Sequence, residues 1–197
     1  MKKVFLLLLS LMLAAGLLAG CGSDAKSGSS GTAANAKVLV VYFSATGNTK
    51  SAAETIADTL DADIFEITPE EPYSDEDLDW NDENSRVVKE RDSEKLQDQV
   101  KLKTTKVDNW DSYDTIFLGY PIWWGDSAWP INRFVQENDF SGKKVIPFCT
   151  SSSSGISESA ENLRKMAGSG DWQKGKRFSS PPDESEVASW AGTAVKE

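Results

Sequence analysis

Histidine is absent from this sequence of 197 residues, and cysteine occurs only twice, at Cys21 and Cys149. Without histidine there can be no Ser-His-Asp or Cys-His catalytic group, no imidazole metal ligand and no imidazole-based pH switch. Two cysteines are also too few for a cysteine-rich zinc site. Demanding chemistry in this protein therefore depends on a borrowed cofactor or on carboxylates alone.

Positive charge is scarce as well, since 21 Lys and Arg residues stand against 31 Asp and Glu residues. Lys2 and Lys3 are the only charged residues among the first 21, so the formal net charge of −10 becomes −12 for the rest of the chain. A chain this acidic repels nucleic-acid phosphates and anionic lipid headgroups. We expect no nucleic-acid partner, and contact with a membrane only through an anchor.

Residues 1–20 have the layout of a signal peptide, with two lysines, an apolar run over 4–13 and then small residues. The run is shorter than the roughly 20 residues that span a bilayer, although an uncleaved membrane anchor is the alternative. Leu18-Ala19-Gly20-Cys21 resembles the lipobox of bacterial lipoproteins. That resemblance implies that Cys21 is lipidated and becomes the new N-terminus, and that the protein is exported and held on the outer face of the cytoplasmic membrane, or on the periplasmic side of a bacterial membrane.

Residues 22–36 are mostly Gly, Ser, Ala, Thr and Asn, and they show no apolar periodicity. This composition is typical of a flexible tether, so we assign residues 21–36 to the lipidated cysteine and its linker. Fifteen such residues have an r.m.s. span of about 20–23 Å, which holds a domain clear of the headgroups. Residues 37–197 then form one domain.

In residues 37–197, short apolar runs alternate with helical patterns, which is typical of an α/β domain with helices on both faces of a parallel sheet. Strands are predicted at 38–43, 64–67, 115–120 and 145–149, with a weaker fifth at 176–178. Apolar residues at helical spacing predict helices after the first, third and fourth strands and near the end of the chain.

Residues 68–113 interrupt this alternation and are too long for an ordinary connection, so we treat them as an insertion with structure or function of its own. Its first part is strongly acidic, and residues 86–100 fit a helix. Asp75, Asp77 and Asp79 have the spacing that opens a calcium-binding loop, but Trp80 stands where that loop requires glycine. We therefore expect a solvated acidic face and no metal site.

The strongest motif lies directly after the first predicted strand and directly before the first helix. It reads Ser44-Ala45-Thr46-Gly47-Asn48-Thr49. Its hydroxyl groups, and the unpaired N–H groups of the first helical turn, suit a phosphate group without any lysine. The nucleotide-binding patterns Gly-x4-Gly-Lys-Ser/Thr and Gly-x-Gly-x-x-Gly are absent, so a monophosphate fits best. An ordinary capped turn is the alternative.

Two more loops leave the third and fourth predicted strands. They contain Pro121, Ile122, Trp123, Trp124 and Gly125, and Thr150, Ser151, Ser152, Ser153 and Gly155. In open parallel sheets, ligands bind beyond the carboxyl ends of the strands, where all three loops emerge. Phosphate donors, a paired indole wall and a rim of small polar residues together describe a site for flavin mononucleotide (FMN).

These residues carry a family resemblance. The Ser44–Thr49 motif is similar to the flavodoxin phosphate loop, and Tyr120–Gly125 resembles the loop that walls the isoalloxazine ring. Residues 71–73, 117–125 and 140–151 look like a bacterial flavodoxin-like family with a lengthened second connection. The resemblance implies a flavodoxin-like doubly wound sandwich with a five-stranded parallel sheet in the order 2-1-3-4-5 and bound FMN. It places Trp123 against the flavin ring. Serines fill the third loop where glycine is expected.

The remaining aromatic residues and the second cysteine are assigned structural roles. Cys149 ends a buried strand and is interpreted as an inert apolar residue. Trp129, Trp172 and Trp190 are assigned to packing. For Tyr73 and Trp80, in the insertion, a position over the flavin and a position on the surface both remain open.

The resulting hypothesis is a lipid-tethered electron-transfer flavoprotein whose chemistry resides on FMN, with no catalytic side chain. Its charge favours redox partner proteins with a basic docking surface, and quinones are the small-molecule alternative. Two other functions stay open. One is an FMN-dependent NAD(P)H:quinone or acceptor oxidoreductase, although no nicotinamide site is recognisable, and the other is a flavin-free binding domain.

Overall fold

A computed structural model describes residues 37–196, which contain seven strands and six α-helices. The strands are β1 (Val38–Tyr42), β2 (Asp63–Glu66), β3 (Thr115–Trp123), β4 (Asp126–Ser127), β5 (Lys144–Thr150), β6 (Asp171–Trp172) and β7 (Lys176–Phe178). The helices are α1 (Asn48–Leu60), α2 (Arg86–Arg91), α3 (Glu94–Asp98), α4 (Pro130–Glu137), α5 (Ser157–Ala167) and α6 (Glu184–Ala194). The predicted signal peptide, Cys21 and the predicted tether lie outside the described residues.

The main sheet is parallel, in the order β2-β1-β3-β5, and both β6 and β7 pair with the outer edge of β5. With β5 as the fourth predicted strand, the predicted order 2-1-3-4-5 is confirmed. The fifth position is shared by two short strands, of which β7 is the one that the sequence predicts. β3 is longer than predicted, because its end forms an antiparallel hairpin with β4.

Both faces of the sheet are buried, which explains why β1 is apolar at every position. Leu39 and Val41 belong to a core cluster that includes residues of α4 and α5. Val40 and Tyr42 belong to a second cluster with residues of α1 and α6. The helices therefore cover the two faces in pairs. Among residues 37–196, no helix is long and apolar enough to cross a bilayer.

The insertion forms two short helices in place of the single one predicted over residues 86–100. The break falls at Asp92 and Ser93, where the extended Ser93 accepts a hydrogen bond from the Leu96 N–H (3.4 Å) and caps α3. A serine in this role favours a new helix start over a continuous helix. The two ends of the insertion are joined by hydrogen bonds from Glu70 N–H to the Lys101 carbonyl (2.8 Å) and from Lys103 N–H to the Thr68 carbonyl (2.9 Å).

The close approach between β3 and β5 generates a stability prediction. A Cβ atom at Gly119 would overlap three ring atoms of Phe148, which is fully buried. Gly119→Ala should therefore lower the free energy of unfolding by about 1–3 kcal/mol, as overpacked core substitutions do. Gly192→Ala, on α6 with open space at its Cβ, is the control and should be neutral or slightly stabilising. Chemical denaturation measures both, and an undiminished midpoint for Gly119→Ala would contradict the packing described.

Candidate functional site

A cleft of about 440 Å³ opens where β1, β3 and β5 end. The three predicted loops meet there, and the insertion supplies a further part of the wall. The lining residues are Ala45, Thr46, Asn48, Leu78, Trp80, Val87, Pro121, Ile122, Trp123, Trp124, Thr150, Ser151, Ser152 and Ser180. Within the described part of the chain, every residue that lines this cleft is uncharged.

The first loop presents the start of α1 to the cleft. Gly47 adopts a left-handed conformation (φ 86°), and no side chain caps the helix, so the first N–H groups of α1 have no partner within it. Ser44 Oγ accepts a hydrogen bond from the Gly47 N–H (3.1 Å), and Asn48 Nδ2 donates to Thr46 Oγ1 (3.1 Å). Because the first turn contains no acidic residue, the positive end of the helix dipole is left for an anion.

Thr49 occupies a different position from the rest of its motif. Its side chain is buried, and its hydroxyl shares a 2.8 Å hydrogen bond with that of Thr150. This bond ties the first loop to the third. The other predicted binding residues outside the lining are Ser44, Gly47, Gly125, Ser153 and Gly155.

The second loop is a two-residue hairpin turn that brings two adjacent indoles to one cleft. Trp124 (φ 47°) and Gly125 (φ 89°) both have positive φ, as in the turns favoured by tight hairpins. Trp124 is 45 % exposed and stacks on Trp129, with ring centroids 6.1 Å apart. Trp123 is half-buried and meets the same ring at 4.7 Å in an edge-on arrangement. A regular strand would have pointed these neighbours in opposite directions.

The third loop is held by Arg177, the middle residue of β7. Its guanidinium donates to Ser151 Oγ (3.1 Å) and to the carbonyl oxygens of Ser151 (2.7 Å) and Ser152 (2.6 Å). Sequence reasoning placed Arg177 in a strand and gave it no role. A basic residue within the short strand predicted beside the fourth was the available signal.

Cys149, beside this loop, is buried in the core, and burial raises the pKa of its thiol to about 12. The thiol is therefore protonated at neutral pH, where it is a poor nucleophile. This agrees with the structural role predicted for it.

The structure places Tyr73 and Trp80, the two aromatic residues of the insertion whose positions the sequence left open, in different environments. Trp80 lines the cleft and is 68 % exposed. Tyr73 lies behind the cleft wall, with its ring 5.3 Å from Trp123 and 6.3 Å from Phe43. The packing role predicted for Trp190 agrees with its contact on the Phe178 ring (5.4 Å).

The profile of the flavodoxin family matches residues 37–194, nearly the whole of the described region. This chain belongs to the flavodoxin family. Among solved structures, this flavodoxin is similar to two proteins assigned as flavoproteins. The one from Bacteroides eggerthii is 38% identical, with a TM-score of 0.71, and the match covers 81% of this chain and 98% of that one. The one from Bacteroides uniformis is 39% identical, with a TM-score of 0.72, and the match covers 80% and 98%.

More distant relatives share the flavodoxin fold alone. A Lactobacillus acidophilus flavoprotein, solved in complex with FMN, is 23% identical with a TM-score of 0.58, and the match covers 79% of this chain and 99% of that one. No curated protein sequence gives a significant match.

Because the Arg177 guanidinium holds the third loop through three hydrogen bonds, removing this side chain should lower the affinity for the ligand. Arg177→Met should weaken the binding of FMN, the ligand expected from the sequence, by about tenfold or more, because hydrogen bonds from a charged donor are the strong ones. Arg164→Met is the matched control, since Arg164 pairs with Glu161 on the exposed surface of α5. Fluorescence titration with FMN measures both, and equal affinities for the two variants would contradict the role of Arg177.

Proposed function

We propose that this protein binds FMN noncovalently in the cleft and acts as an electron-transfer flavodoxin held at a membrane by lipid. The observation that carries the proposal is the convergence of the three loops on one uncharged cleft at the carboxyl ends of the sheet. The similarity to a flavoprotein solved with FMN supports the choice of ligand.

The residues present fit FMN at both of its ends. The uncapped start of α1 and the polar side chains of Thr46 and Asn48 would hold the phosphate group, and the described lining contains no carboxylate to repel it. The indoles of Trp123 and Trp124 would hold the flat ring system. The backbone and hydroxyl groups of the third loop, around Ser151 and Ser152, suit the polar edge of the ring.

Bound FMN supplies the reversible uptake and release of electrons, and the chain supplies the setting for it. The three loops would bind and orient the cofactor, with the indole pair as one wall of the cleft. The described lining of the cleft includes no Lys or Arg to pair with the 2′-phosphate of NADPH, which makes an NADPH-dependent reductase the less favoured alternative.

The acidity of the domain predicts the direction of the redox potential. With a net charge of −12 beyond residue 21, added negative charge on the reduced flavin is disfavoured. We expect full reduction at a potential below that of free FMN, rising with ionic strength as salt screens the field. Anaerobic redox titration of the protein loaded with FMN measures both effects.

A potential at or above that of free FMN would contradict this electrostatic account. Sustained NADH or NADPH oxidation by the purified protein would contradict electron carriage and favour the reductase. With a basic redox partner protein, the proposed carrier should exchange electrons at a rate that falls as salt increases.

Lipid attachment is tested separately. Cys21→Ser removes the sulfur that we propose carries the lipid, and it should abolish the incorporation of a labelled fatty acid into the protein. Cys149→Ala is the control and should keep the label. Metabolic labelling of cells that produce each variant measures both, and a Cys21→Ser variant that still takes up the label would contradict lipid attachment at this residue.

A further inference from the structure

A carboxylate from the insertion is buried directly behind the indole wall. The Glu90 side chain, on α2, is only 8% exposed. Its Oε1 accepts a hydrogen bond from Arg86 Nε (2.7 Å). Its Oε2 accepts one from the Tyr73 hydroxyl (2.6 Å) and one from Trp129 Nε1 (2.7 Å). Both oxygens of this carboxylate therefore have partners.

Burying a carboxylate is costly unless donors compensate for the lost water. Here the compensation comes from three directional, charge-assisted hydrogen bonds, whose geometry fixes the positions of the donor side chains. Tyr73 is held as a donor, because burial, reinforced by the hydrogen bond to Glu90, raises the pKa of its phenol well above its usual range. The Arg86 guanidinium also lies over the Tyr73 ring, 4.0 Å from its centroid.

Two of the three donors, Tyr73 and Trp129, are also the side chains against which Trp123 and Trp124 pack. The Trp129 ring lies 4.7 Å from Trp123 and stacks on Trp124 at an interplanar angle of 16°. The Tyr73 ring contacts Trp123 edge-on at 5.3 Å. Only one side chain, either Tyr73 or Trp129, therefore lies between the Glu90 carboxylate and the indoles of the cleft wall.

We propose that Glu90 is a positioning residue for the cofactor, whose buried carboxylate sets the orientation of Trp123 and Trp124 through Tyr73 and Trp129. This inference rests on the proposed function, because it concerns the same cleft. It gives the insertion a role: it carries the support that holds the indole wall in place.

The test compares two glutamates that pair with an arginine four residues earlier on a helix. Glu90→Gln keeps the shape of the side chain but removes its charge and part of its accepting capacity. Glu137→Gln is the control, because Glu137 accepts from Arg133 Nε (2.9 Å) in the same spacing but is 46% exposed. FMN affinity of the full-length protein is measured by fluorescence titration. The visible circular dichroism of bound FMN is recorded at saturation, where a simple loss of folded protein lowers the signal without changing its shape.

We expect Glu90→Gln to bind FMN about tenfold more weakly, as the loss of charge-assisted hydrogen bonds in a buried network implies, and to change the shape of the visible dichroism. Glu137→Gln should match the wild type in both measurements. Tyr73→Phe keeps the ring and removes only the hydroxyl donor, so it should reproduce the spectral change. This variant also decides the matter if Glu90→Gln does not fold.

A wild-type protein that binds FMN, together with Glu90→Gln and Tyr73→Phe variants that bind it with unchanged affinity and spectrum, would overturn the positioning role and leave the proposed function standing. A wild-type protein that fails to bind FMN would overturn the proposed function itself. The two failures are therefore distinguishable.

Discussion

Burial of the parallel sheet on both faces is the constraint on which the rest of the structure depends. It requires β1 to be apolar at every position, and it places α1 and α6 over one face of the sheet and α4 and α5 over the other. Because β1, β3 and β5 are parallel neighbours, they end at the same edge. The loops after β1, β3 and β5 are brought together by this topology before any of their side chains makes a contact, and the cleft is the consequence.

The local electrostatics of that cleft suit an anionic group. The domain is strongly acidic, yet the described lining is uncharged and includes the uncapped start of α1. The helix dipole offers a local positive potential to a phosphate group in a protein that otherwise repels anions. Under the proposed function, the same overall charge would oppose reduction of a bound flavin and favour a basic partner, so a single property of the composition would bear on both potential and partner charge.

The parallel strands and the three loops could be predicted from the sequence because each depends on local pattern: an apolar run, a turn residue and a helical stripe. The sheet order followed from the family resemblance. Contacts between distant residues could not be predicted in either way. The hydrogen bond of Thr49 to Thr150 joins residues 101 apart, and the bonds of Arg177 to the third loop depend on where a short fifth strand ends. Glu90 was hidden within a run of charged residues, and only the packing of α2 against Trp129 gives it a role. The break at Ser93 was missed because a local hydrogen bond competed with helical spacing.

The most direct test of the central claim is a crystal structure of the protein determined with FMN. The account predicts the phosphate group at the start of α1, among Thr46, Asn48 and the first-turn N–H groups, with the ring against Trp123 and Trp124 and its polar edge toward Ser151 and Ser152. FMN bound away from these three loops, or with its phosphate group outside the Ser44–Thr49 loop, would contradict it.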